Sequence, residues 1–322
     1  MKKLLTIAIA MMAAAGAMAQ SKVYFTKEIT PESLVKVYKA LGVEPTGRVA
    51  VKISTGEPGG HNYLKPTLIR NLVDEVKGTI VECNTAYGGR RNTSAEHRKA
   101  IHEHGFDSIA RVDIMDEEGN MNIPVKDTTH IKYDIVGSHL ANYDFMVNLA
   151  HFKGHAMGGF GGVLKNASIG VASADGKAYI HTAGKVQSPK ELWQNLPAQD
   201  YFLESMAAAA QGVHDYMKGR VVYINVMNNM SVDCDCDSHP ADPKMKDVGI
   251  LASTDPVALD KACLDIVFNH KATPGDDNKP LIERINRQHG TYVHAYARGK
   301  KDARHDEAGK NSSALRAQRD GH

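Results

Sequence analysis

The chain has 322 residues, enough for one large domain or two small ones. Lys plus Arg total 39 against 37 Asp plus Glu, and setting aside Lys2 and Lys3 leaves 37 of each. That balance, with no basic stripe along the chain, excludes an electrostatic nucleic-acid binder.

Residues 1–19 follow the order of a cleaved secretory signal. Lys2 and Lys3 form a positive start, residues 4–12 an apolar stretch too short to span a bilayer, and Ala17-Met18-Ala19 a small-x-small cleavage pattern. Gln20 then begins the mature chain; no Cys follows the cleavage point to carry a lipid, and no later apolar run is long enough to span. The expectation is a protein without a membrane anchor, periplasmic or secreted.

Beyond the signal, strands and helices alternate. Residues 49–53 read as a strand, 65–77 as a helix with Leu68, Leu72 and Val76 on one face, and 79–83 as a second strand. A helix over 93–104 is opened by Asn92, Thr93 or Ser94 and closed by Gly105. Short strands at 111–115 and 121–125 flank the turn Glu118-Gly119-Asn120, and 144–149 is an apolar strand suited to burial on both faces. Residues 154–184 are glycine-rich, 189–218 helical, and 221–227 another buried strand. Asp255-Pro256 starts a helix, with Asp as N-cap and Pro at the first position. From Lys300 the chain is polar and aperiodic, which predicts disorder over 300–322. The pattern predicts an α/β fold over 20–299, with room for two subdomains meeting near 185–220. Its sheet is mainly parallel with helices on both faces.

Ligands of open α/β sheets bind beyond the carboxyl ends of the strands. Four predicted strands deliver polar loops there: Ser54-Thr55 after the first, Asn84 to Arg91 after the second, His151-Phe-Lys153-Gly-His155 after Leu149, and Asn228 to Cys236 after Met227. Cys234-Asp235-Cys236, with His239 nearby, carries the donor types that zinc or iron select. An exported protein can instead bridge its four cysteines, so metal and disulfide both stand; neighbouring thiols this close would each need a distant partner. The three flanking aspartates should raise the thiol pKa values. His151 and His155 suit ligation or proton transfer, and Lys153 an anionic group. Gly161 and Gly162, in a glycine run ending at Lys165-Asn166, let backbone amides approach an anion, although no phosphate-loop motif is present. Asp260 reads as a solvated helix residue, Cys263 as a buried one, and His97, His102 and His104 as surface residues.

Two blocks resemble a known family. One is His151-x-x-x-His155 leading to Gly162-Val-Leu-Lys165-Asn166-x-x-Ile169-Gly170. The other is Asp233-Cys-x-Cys236 followed by Asp247-Val-Gly249-Ile-Leu-x-Ser253-x-Asp255-Pro256-Val-Ala258-Leu-Asp260. Both resemble the domain of unknown function 362 family over about residues 49–298. The resemblance implies an α/β fold with a ligand site between sheet edge and glycine loop, and supports Cys234/Cys236 and His151/Lys165/Asn166 as site elements. Many such proteins are called ferredoxin-like for an inserted C-x2-C-x2-C-x3-C segment; this chain has none, so a ferredoxin-type [4Fe–4S] cluster is not expected. The resulting expectation is an exported metal-binding protein with a small anionic ligand and a redox partner protein. The rival is a metal-free periplasmic binding module with paired cysteines.

Overall fold

The computed structural model describes residues 21–287. The signal segment and the polar tail expected from the sequence lie outside the described residues.

The strands are β1 (Tyr24–Thr26), β2 (Val49–Lys52), β3 (Thr79–Glu82), β4 (Val112–Ile114), β5 (Asn120–Pro124), β6 (Tyr133–Gly137), β7 (Phe145–His151), β8 (Lys153–His155), β9 (Gly159–Gly161), β10 (Val221–Met227) and β11 (Gly249–Ser253). The helices are α1 (Pro31–Lys39), α2 (Pro66–Glu75), α3 (Ser94–Glu103), α4 (Val163–Ala167), α5 (Ala174–His181), α6 (Gln199–Tyr216), α7 (Pro256–Asn269) and α8 (Lys279–Arg287).

Seven strands form one sheet in the order β1-β11-β10-β7-β2-β3-β4. β10, β7, β2, β3 and β4 run parallel, whereas β11 is antiparallel to both β10 and β1. Every residue of β7 and β10 is buried, as parallel strands covered on both faces require. Successive side chains point to opposite faces. Val49, Val51 and Ile53 pack with α1, α2 and α3, while Ala50 belongs to the opposite layer, built on α4 to α8. By the same alternation Lys52 falls on Ala50's side.

From β2 the chain steps outward to β3 and β4, then returns to lay β7 on the other side of β2. The order therefore reverses between β2 and β7, where their carboxyl ends leave a crevice.

The glycine-rich stretch is structured. β8 and β9 form a hairpin, pairing Lys153 with Gly161 and His155 with Gly159, and lead into α4 and α5. β5 leaves the main sheet to pair with β6. Asp255 caps α7 as expected, accepting from the amides of Val257 and Ala258.

Two expectations are corrected. Asp260 is fully buried rather than solvated. It accepts 3.0 Å bonds from the amides of Val163 and Leu164, capping α4 from α7, and a 2.7 Å bond from Asn225 Nδ2. Gly162 leaves room for this, since a Cβ there would overlap the Asp260 carboxyl. His97 is buried rather than on the surface, with Nδ1 3.1 Å from Asn84 Oδ1, because the α3 face carrying it turns onto the β3 loop. His104 is half-buried and stacked on Tyr63; His102 is exposed.

Candidate functional site

The loop after β10 folds back over the crevice and is tied down at several points. Gly154 N–H donates to Ser231 O at 2.8 Å, and a Cβ on Gly154 would overlap the Val232 carbonyl, so only glycine lets the β8 strand approach this loop. Glu57 N–H donates to Asp235 O at 2.7 Å, joining the loop to the turn after β2.

Asp235 turns into the protein. Its carboxylate meets His151 Nδ1 at 2.8 Å and Lys153 Nζ at 2.6 Å, all three side chains being buried. Burial pushes the Asp235 carboxyl up, but His151 and Lys153 outweigh it and hold the pKa at about 2. His151 Nε2 lies 2.6 Å from Asn228 O, so both its ring nitrogens already have partners. The structure thus places His151 and Lys153 as braces for the cysteine loop.

Against that loop lies a cavity of about 50 Å³, room for a few water molecules or a small anion of similar bulk. It is lined by Lys52, Arg91, Lys153, Lys165 and Lys177 against one carboxylate, Glu82, and also by Ser54, Gly161, Gly162, Asn166, Tyr87, Cys234 and Cys236. Arg91 and Lys52 pair with Glu82, and Arg91 also with Glu57. Burial raises the Glu82 pKa, yet Lys52, Arg91 and His97 bring it to about 2. Lys165 and Lys177 make no ion pair with a carboxylate among the described residues; Lys165 Nζ reaches Cys234 Sγ at 3.8 Å and Lys177 Nζ donates to Ala172 O. Asn166 holds the floor together through Lys52 O, Asn148 Oδ1 and Lys52 Nζ. Thr55 donates through N–H and Oγ1 to Glu82 Oε1.

His155, Cys234 and Cys236 bring their ligand atoms within 4.8 Å of one another, close enough for one metal ion. The sulfurs differ. A hydrogen bond from Cys236 lowers the Cys234 pKa well below the ordinary thiol range, with Lys165 and His155 adding to it against burial. The same bond, with burial, raises Cys236. The expectation that flanking aspartates would raise both thiols fails for Cys234, where the Cys236 bond, Lys165 and His155 prevail and the aspartates are themselves paired. Asp233 pairs with Arg284, Asp235 with His151 and Lys153, and Asp237 accepts from His239 N–H. All four thiols are free; Cys83 and Cys263 are buried, with Val171 O and Asn225 as neighbours.

The structure therefore gathers Ser54, Lys153, Gly161, Gly162, Lys165, Asn166, Cys234 and Cys236 around one cavity, with His155 at the sulfurs. Thr55 lies beneath, on Glu82. His239 is exposed, beside Ser238, and outside the donor group that holds His155 in the place expected for it. Sequence reasoning placed Arg91 in a loop at the site without a role, and missed Lys52, Lys177 and Glu82. A lysine inside the apolar strand Val-Ala-Val-Lys was the available signal for Lys52; nothing local marks Lys177.

No curated protein matches the chain. Among solved structures it is similar to the lactate racemase apoprotein of Thermoanaerobacterium thermosaccharolyticum, at 14% identity and a TM-score of 0.43, covering 76% of this chain and 56% of that one. A Thermotoga maritima protein is similar at 15% identity and a TM-score of 0.42, covering 74% and 58%. The chain thus spans little more than half the length of either, and likeness at this level says nothing of chemistry. The family model described as domain of unknown function (DUF362) matches residues 49–265, well over half of the sequence, and the chain belongs to that family.

Proposed function

We propose that the protein binds a small anion, a carboxylate or an oxyanion such as phosphate, in the cavity at the carboxyl ends of β2, β3 and β7, and that it does so after export. The observation that carries this reading is the cationic lining, in which Lys165 and Lys177 face the cavity without a carboxylate partner among the described residues. Charge-assisted bonds to a desolvated anion are the strong kind. The signal-like N-terminal segment supports the exported setting. Titration calorimetry with inorganic phosphate and with malonate tests it. Saturable binding weakened about tenfold or more in Lys165→Met is the expected result. No saturation in the wild type, or equal binding by the variant, would sink the proposal.

A second reading is favoured by the His155, Cys234 and Cys236 cluster, whose donors suit zinc or iron. The two sulfurs fit such an ion. His155 fits less well, because its Nδ1 accepts from the amides of Met157 and Gly158, which leaves the ring proton on Nε2. In that reading the ion, and any exchange of electrons with a redox partner, would sit at the cavity wall. One equivalent of zinc or iron, released by Cys234→Ser, would establish it.

A further inference from the structure

Cys234 Sγ is approached by donors from several directions: the Cys236 amide at 3.3 Å, Lys165 Nζ at 3.8 Å, and His155. The role of His155 is set by its own backbone. The Met157 and Gly158 amides point at Nδ1 from 3.2 and 2.8 Å, and an amide can only donate. Nδ1 therefore holds the lone pair, and in the neutral ring Nε2 holds the proton, which it offers to the sulfur. A metal-bound imidazole has the reverse wiring, its second nitrogen donating outward. Cys234 also lines the same cavity as Lys165 and Arg91, so an anion held there lies beside the sulfur.

We propose that Cys234 is a nucleophilic cysteine that bonds covalently to a small carbon electrophile bearing a carboxylate or phosphate group, the anionic end being held by Lys165 and Lys177. This deepens the anion-binding reading of the same cavity and rests on it. The sulfur attacks as a thiolate: its lone pair forms the S–C bond, and the leaving group departs with the electron pair of the bond that breaks. No proton needs to move in that step. His155, Lys165 and the Cys236 amide act as positioning groups that surround the sulfur with donors and aim it.

Iodoacetate is an electrophile of this kind, with iodide as the leaving group, and iodoacetamide is its neutral counterpart. The folded wild-type protein, assayed beforehand for zinc and iron, is treated with each at neutral pH and the modified cysteines are mapped by peptide mass spectrometry. Cys234 is expected to be carboxymethylated about tenfold or more faster than Cys236, Cys83 or Cys263. Iodoacetate should be favoured over iodoacetamide relative to a small free thiol, inorganic phosphate should slow the reaction, and Lys165→Met should erase the preference. Labelling of Cys234 only after unfolding, or only after a chelator removes metal, would overturn the nucleophile while leaving any measured phosphate binding intact. An iodoacetate-to-iodoacetamide rate ratio at Cys234 no higher than that of the free thiol would overturn the anionic substrate class and the reading of the cavity with it.

Discussion

Between the two thiols of the Cys234–Cys236 segment stands a carboxylate whose charge is used up on two other side chains. Read along the chain, Asp235 is the nearest anion to both sulfurs; in space its partners are His151 and Lys153. Replacing it should be costly, because a buried cation loses its partner. Asp235→Asn is expected to destabilise by about 3–5 kcal/mol, read from urea midpoints, with Lys153 left buried and unpaired. Little change would mean that Lys153 finds another partner or that water enters. The same residue shows why the site was half legible. The residue types around the cavity stand out in sequence, but which side of a loop each faces does not. His239, three residues from Cys236, was the obvious histidine, yet it faces solvent, and His155, nearly eighty residues upstream, meets the sulfurs.

Among the elements, β2, β3, β7 and β10 were readable because strands buried on both faces are short apolar runs, and α7 because Asp255-Pro256 is a strong start signal. α4 and α5 were not readable. Their segment is glycine-rich, and α4, five residues long, has no side-chain cap of its own. Its cap comes from Asp260, almost a hundred residues later, so no local pattern announces it. Asp260→Ala should therefore unsettle α4 rather than α7, leaving the amides of Val163 and Leu164 and Asn225 Nδ2 without their acceptor. A loss of about 2–4 kcal/mol is expected, with faster amide exchange at 163–166. Unchanged protection there would show that α4 does not depend on the borrowed cap.

For the whole molecule, buried ionisable groups set the response to acid. Glu82 and Asp235 have folded pKa values of about 2, below their ordinary 4.5 and 3.8, so the stability they contribute is present above those values and lost as pH falls towards 2. Burial lowers His97 and His181 to about 3, so they resist the protonation that the unfolded chain accepts below 6.5; stability from them also falls with falling pH. Burial raises Asp260 to about 6 and Asp134 to about 7, which acts the other way, stability declining as pH climbs through that range. The opposing pairs overlap from roughly pH 4 to 6, so a shallow profile is expected there and a steep loss between about 4 and 2. Chemical denaturation at a series of pH values checks this; a steep slope already at pH 5 to 6 would show that the aspartates do not offset the histidines.

The edge of the sheet has a consequence for how the chain is assembled. Among the described residues β1 pairs only with β11, register Phe25 to Leu251, so the outermost ladder joins stretches separated by more than two hundred residues. Ser253 Oγ, donating to Lys22 O, extends the same seam. Closing so long a loop comes late in entropic terms. Until the distal half of the polypeptide has been delivered and threaded home, β11 cannot take up its place between β10 and β1. A chain emerging from a ribosome would thus carry β1 unpaired for most of its passage, open to pairing with neighbouring copies.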